Sequence, residues 1–211
     1  MLDTIIRTDF VDTETLLKLQ EYCGKSEFYI NESYGGLRDN PAIDNEHGVT
    51  DEHIKKIGLP AVPNEVLRSH RVSDMSEEVK SIAVQINKMC EQLILDTYDK
   101  KMSYNQGGDI VRYKVGQSLP YHQDWTVSDW VIKNNLPVVH LSSVLYINDD
   151  YSGGELLFSS AKRNEYRHDV MSIKPSAGTI VFFDALNWHA AAPVKDGFKY
   201  ASTNFYTLED V

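Results

Sequence analysis

Hydrophobic and polar positions divide the chain into a helical first half and a β-rich second half. Leu16, Leu17 and Leu19 follow Asp12 and Thr13, either of which suits the cap of a helix running through roughly Cys23. A short side-chain oxygen at that position accepts from the first unpaired backbone N–H groups. A longer helix opens at Ser76 with Glu77 and Glu78 behind it, and Val79, Ile82, Ile86, Met89, Leu93 and Leu95 recur close to the helical period. That spacing gathers one apolar face and predicts packing on a sheet. The helical pattern stops before Gln106-Gly107-Gly108. Beyond Gly108 come short runs rich in β-branched and aromatic residues: DIVRYKV, VVHLSSVLYI, GELLFSS, DVMSI, TIVFFD and YASTNFYT. Turn signals such as NDDYSGG, KPSAG and KDGF separate them. Strands at this spacing, with little helix between them, predict a mainly β fold, a sandwich or barrel rather than alternating β/α units. Between the two helices, Ile30 to Asn64 is rich in Gly, Asn, Asp and Pro, with one helical turn near DEHIKKI. So long a loop in a compact domain usually has a function.

The chain of 211 residues is long enough for one sizeable core. It reads as a single domain over 1–211, with a helical and loop-rich part over 1–107 and a strand core over 108–207. An apolar share of 42% against 25% charged residues is that of an ordinary globular protein, which excludes disorder. No stretch reaches the roughly 18 apolar residues of a membrane helix, and MLDTIIRTDF has neither the basic start nor the apolar middle of a signal peptide. The expected location is the reducing cytoplasm. Cys23 and Cys90 are too few for a disulfide framework and read as packed thiols. A net charge of -10 without any basic run excludes a general nucleic-acid surface, which needs clustered cations.

His122-Gln123-Asp124 introduces the chemistry. In extended chain residues i and i+2 point to one face, so an imidazole and a carboxylate converge there. Alone the step is weak, because a solvated pair on a surface turn gives the same letters. His189 lies 65 residues beyond Asp124, after TIVFFD. Two imidazoles and a carboxylate on one face of an octahedral ion leave three positions open, as in non-haem iron(II) oxygenases. A zinc hydrolase uses the same donors, whereas a structural zinc site wants a fourth protein ligand and none is evident. Lys199, ten residues after His189, supplies a cation for the far carboxylate of a dicarboxylate cosubstrate. Tyr113, Tyr146 and Thr203 could donate hydroxyl hydrogen bonds to it. Each of these three could also be ordinary strand filling. Trp125, Trp130 and Trp188 flank the candidate ligands, as pocket walls or as core. His140 reads as packed in a strand, and His47, His53, His70 and His168 as solvated.

These segments together resemble the prolyl-4-hydroxylase-like branch of the iron(II)/2-oxoglutarate oxygenase superfamily. VRYKVGQSLPYHQDW resembles its R-Y-x-x-G-Q-x-x-x-x-H-x-D segment, and SSVLYINDDYSGGELLF its leucine- and tyrosine-bearing strand followed by G-G-E. SIKPSAGTIVFFD is similar to its K-P-x-x-G strand, and NWHAAAPVKDGFKYASTNFY to its H-x-x-x-P-V-x-x-G-x-K-Y close. The likeness covers about Ile110 to Thr207. It implies an α+β, mainly β domain: a double-stranded β-helix, or jelly roll, with N-terminal helices bracing one sheet. It also implies iron ligands at His122, Asp124 and His189, and 2-oxoglutarate held by Lys199, Tyr113, Tyr146 and Thr203. Prolyl hydroxylases of this branch often carry an aromatic residue, a Thr and a Trp where this chain has Leu119, Leu156 and Phe205. The departures fall at positions that usually face the substrate.

The implied activity is hydroxylation of a C–H bond, dependent on Fe(II), 2-oxoglutarate and O2, with succinate and CO2 as products and ascorbate as a candidate reductant. The substrate is expected to be a prolyl or other residue of a protein or peptide, or a free amino acid, with no nucleic-acid or membrane partner. The Ile30 to Asn64 loop is expected to form part of a lid over the pocket. Oxidative demethylation of nucleobases uses the same iron chemistry, but Lys199 and the acidic charge count against it. A catalytically silent β-sandwich binding module has no need for both the triad and the lysine.

Overall fold

A computed structural model describes residues 2–30, 70–72, 75–124, 137–159 and 169–211. The lid expected over Ile30 to Asn64 lies outside these residues from position 31 onward, as do Trp125, Trp130, His47, His53 and His168.

Helix α1 (Thr13–Lys25) starts on Asp12, whose carboxylate accepts from the Thr15 N–H at 2.9 Å. Helix α2 (Glu77–Tyr98) starts on Ser76, whose hydroxyl accepts from the Val79 N–H at 3.3 Å. Each cap pairs a donor that the first turn leaves free. The buried stripe of α2 is Val79, Ile82, Ile86, Cys90 and Ile94. Met89 and Leu95, expected on that stripe, are exposed by 42% and 37%. The observed stripe continues in steps of four, each turning it by about 40° around the axis, and so passes from Ile86 to Cys90 rather than to Met89. Both cysteines are buried and free, and burial pushes the thiols up to about 12 for Cys23 and about 11 for Cys90.

Asp99, in the left-handed conformation, ends α2, and β4 (Lys100–Tyr113) begins at the next residue. The strand therefore starts well before Gly108, where the sequence pattern changes. Glycines read as strand breakers, but Gly107 sits inside β4 because another backbone presses on it. A Cβ there would meet the Asn204 Cα at 2.5 Å, at a register shift between Thr203 and Asn204.

The other strands are β1 (Ile5–Arg7), β2 (Phe28–Ile30), β3 (His70–Val72), β5 (Leu119–His122), β6 (Leu141–Tyr146), β7 (Ser152–Gly153) and β8 (Leu156–Ser159). They continue with β9 (Asp169–Ile173), β10 (Ile180–Asp184), β11 (Trp188–Ala191), β12 (Val194–Asp196) and β13 (Lys199–Asp210). A seven-stranded sheet has the order β1-β10-β6-β13-β4-β3-β2, and a four-stranded sheet the order β5-β11-β8-β9. Strands β12 and β7 form a separate pair, and every pairing is antiparallel.

Alternation along the central strands separates two cores. Ile180 and Phe182 of β10 join Leu141, Leu145, Tyr206 and the buried faces of α1 and α2. Val181 and Phe183, pointing the other way, pack with Tyr146 of β6 and with Leu156 and Phe158 of the small sheet. The large sheet is thus braced by helices on one face and covered by the small sheet on the other. His140 precedes β6, exposed and outside any strand, and its Nδ1 accepts from the Leu208 N–H at 2.9 Å.

Ile94, fully buried in α2, should lose about 2–5 kcal/mol of stability on Ile94→Ala. Met89→Ala should stay within about 0.5 kcal/mol. Urea denaturation midpoints of the two variants check the ranking, and equal losses would contradict the observed stripe.

Candidate metal and cosubstrate site

Strands β5 and β11 pair so that His122 stands directly opposite His189. Asp124 follows two residues after His122, and its backbone N–H donates to the Ala185 carbonyl at 3.1 Å, which ties it to the turn leading into β11. Its Oδ1 lies 3.3 Å from Nε2 of His122 and 3.4 Å from Nε2 of His189. One donor atom from each of the three side chains falls within 4.8 Å of the others, and this is the one such cluster among the described residues. All three side chains are largely withdrawn from water.

The orientation of His189 has an identifiable cause. Its Nδ1 lies 2.9 Å from the Asn187 carbonyl, which can only accept, so Nδ1 donates there and Nε2 is the nitrogen turned toward the cluster. The Phe183 ring, with its centroid 4.5 Å away, limits how the imidazole can turn. Burial is the largest single effect and opposes charge on both Asp124 and His189, but His189 and His122 together outweigh it for Asp124, and Asp124 with the Asn187 carbonyl does so for His189. The Asp124 carboxyl is held well below the usual carboxylate range and the His189 imidazole is raised. The carboxylate is therefore ionised, as a hard divalent cation requires, and two nitrogens with one oxygen and no fourth protein donor among the described residues suit iron(II) with open positions. Trp188, beside His189, turns to the opposite face and packs with Tyr121 and Ala190, so it does not wall this site.

The triad opens into a cleft between the two sheets. Tyr113, Tyr146, Lys199 and Thr203 all line this cleft. On β13 the odd-numbered residues from Lys199 to Thr203 face it, while Tyr200 packs on the helix side. Lys199 is 3% exposed; its Nζ donates to the Gly154 carbonyl at 2.7 Å and lies over the rings of Tyr113 and Tyr146, 5.3 and 5.0 Å from their centroids. Burial pushes its pKa down to about 8, against a weaker opposing pull from Glu155. The Tyr146 hydroxyl is buried without a hydrogen-bond partner among the described residues. A buried cation without a paired anion and an unpaired hydroxyl, side by side, are what a ligand carboxylate would satisfy.

The sequence-level reading missed Gly154, Asn187 and Phe183. Asn187 and Gly154 act through backbone carbonyls, which the side-chain letters do not reveal. Phe183 was recoverable from the alternation within IVFFD, once Ile180 and Phe182 are assigned to the helix side. Leu119, Leu156 and Phe205 all line the same cleft.

Residues 108–207 match the sequence model of the 2OG-Fe(II) oxygenase superfamily. Probable prolyl 4-hydroxylase 3 of Arabidopsis thaliana is 26% identical over 141 residues, a match covering 57% of this chain and 49% of the relative. The chain spans about half the length of the curated relatives it matches. Two solved structures share the fold. The viral collagen prolyl hydroxylase of Paramecium Bursaria Chlorella virus-1, in its 2OG complex, is 18% identical with a TM-score of 0.58, covering 99% of this chain and 96% of that one. The prolyl hydroxylase of Trichoplax adhaerens, in complex with a hypoxia inducible factor peptide fragment, is 15% identical with a TM-score of 0.59, covering 97% and 83%. The matched segment holds the His–Asp–His cluster and the buried lysine on one cleft, and through it the chain is similar to the 2OG-Fe(II) oxygenase superfamily, prolyl 4-hydroxylases among them.

Proposed function

We propose that this protein hydroxylates an unactivated C–H bond in a prolyl or other aliphatic residue of a peptide or protein. The observation that carries this reading is one cleft containing both a three-donor cluster and a buried lysine with no paired anion among the described residues. His122, Asp124 and His189 would hold Fe(II). Lys199, with Tyr113, Tyr146 and Thr203 beside it, would hold the far carboxylate of 2-oxoglutarate. The bound iron supplies oxidative decarboxylation of 2-oxoglutarate to succinate and CO2, coupled to hydroxylation by O2. The fold is read as a double-stranded β-helix whose two sheets exclude water from that chemistry.

Leu119, Leu156, Ala191 and Phe205 make much of the remaining described lining apolar. An aliphatic side chain or ring fits such a wall. A free amino acid would bring an ammonium and a carboxylate that the described lining does not pair, which favours a residue within a peptide.

Anaerobic addition of Fe(II) and 2-oxoglutarate should produce the weak visible charge-transfer band of the chelate, and His189→Ala should lose it. A wild-type protein that binds iron without the band would sink the assignment. Succinate release should respond to aliphatic peptides and not to free amino acids.

The charge of Lys199 provides a second test. Its folded pKa, about 8, lies below the ordinary 10.5, so between those values the unfolded chain binds more protons and stability rises with pH. Relative to Lys199→Met, wild type should gain about 1–1.5 kcal/mol between pH 7 and pH 9. Urea unfolding of both proteins at the two pH values measures this, and a constant difference would contradict a buried, depressed lysine.

A further inference from the structure

We propose that Gly154 is a positioning residue that fixes the Lys199 ammonium and so selects the chain length of the 2-oxo dicarboxylate cosubstrate. The inference rests on the 2-oxoglutarate reading above and adds to it a residue that does not line the cleft.

Two observations at Gly154 converge on Lys199. The Gly154 carbonyl accepts from Nζ at 2.7 Å, which occupies one of the three ammonium N–H groups and leaves the others for a ligand. On the other side of the same residue, a Cβ would meet the Lys199 Cδ at 3.2 Å, the Val194 Cγ2 at 3.2 Å and the Tyr151 Cε2 at 3.1 Å. The backbone is itself held, since the Gly154 N–H donates to the Pro193 carbonyl at 3.1 Å and φ is +67°, a conformation natural to glycine. The lysine stem thus lies flush against a residue without a side chain, and its head is tethered to that residue's carbonyl. The rings of Tyr113 and Tyr146 bound the head on further sides. An ammonium fixed in this way sets one end of a ruler, and the His122–Asp124–His189 cluster sets the other.

Lys199 lines the cleft and Gly154 does not, so a methyl group on residue 154 displaces the lysine toward the cleft and shortens the ruler. A five-carbon dicarboxylate then fits less well, while a four-carbon one gains relative to it. A ligand without a far carboxylate is indifferent to the change.

The test is calorimetric titration of the whole chain, loaded with Mn(II), with 2-oxoglutarate, oxaloacetate, 2-oxoadipate and pyruvate. Wild type should prefer 2-oxoglutarate by about tenfold or more over the shorter and longer dicarboxylates, the scale of one charge-assisted contact. Gly154→Ala should weaken 2-oxoglutarate about tenfold, shift the preference toward oxaloacetate and leave pyruvate unchanged. Adding Val194→Ala, which gives the new methyl group room away from the lysine, should restore the wild-type preference. Equal weakening of all four ligands would mean general damage to the site and overturn the proposal. If Gly154→Ala does not fold, the wild-type profile decides, since a flat response across chain lengths overturns it equally. Wild type that takes up Mn(II) but no 2-oxoglutarate would instead bring down the cosubstrate reading, and this inference with it.

Discussion

The register between β5 and β11 is the constraint on which the site depends. With His189 directly opposite His122, two imidazoles from strands far apart in sequence reach one point, and the carboxylate two residues beyond the first joins them. Side chains alternate along a strand, so a slip of one residue would present Trp188 to the cleft and bury His189 beside Tyr121 and Leu157. Hydrophobic pairing on the back of the small sheet therefore works in favour of the site. Trp188 is held where it is by apolar contacts, and His189 faces the cleft as a consequence.

On the opposite wall the energetics run the other way. Among the described residues, Lys199 is a buried cation whose partners are a carbonyl and two aromatic faces, and the Tyr146 hydroxyl is unpaired. Both features weaken the ligand-free protein. They are tolerated because β13 pairs along its length with β4 and over part of it with β6, so backbone pairing holds the strand whatever the lysine contributes. The same deficit leaves the cleft complementary to an anion with two acceptor oxygens.

Much of this was legible in the sequence, for reasons that differ from residue to residue. Asp12 and Ser76 declared the helix starts because capping is local chemistry. His122, Asp124, His189 and Lys199 were legible because their spacing carried more information than their identities. The α2 stripe was read correctly through Ile86 and again at Leu93, but missed Cys90, since Met89 and Cys90 are both acceptable to a helix and only the sheet beneath decides which is buried. Gly107 was taken as a border because its reason for being there, the Asn204 backbone across the sheet, is nearly a hundred residues away in the chain. Asn187 and Gly154 contribute carbonyls, which every residue has, so their parts in the site depend on the fold alone.

The placement of sulfur has a consequence of its own in a chain that resembles iron- and O2-using oxygenases. Thiols react with peroxide as thiolates, and both cysteines are sealed in the core with protonation strongly favoured. Among the described residues the more accessible sulfur atoms are those of Met89 and Met171. Their sulfoxides form reversibly, and at Met89 the added polarity would face water on the outside of α2. Oxidants escaping the site would then meet a repairable thioether before they met a thiol whose deeper oxidation is permanent.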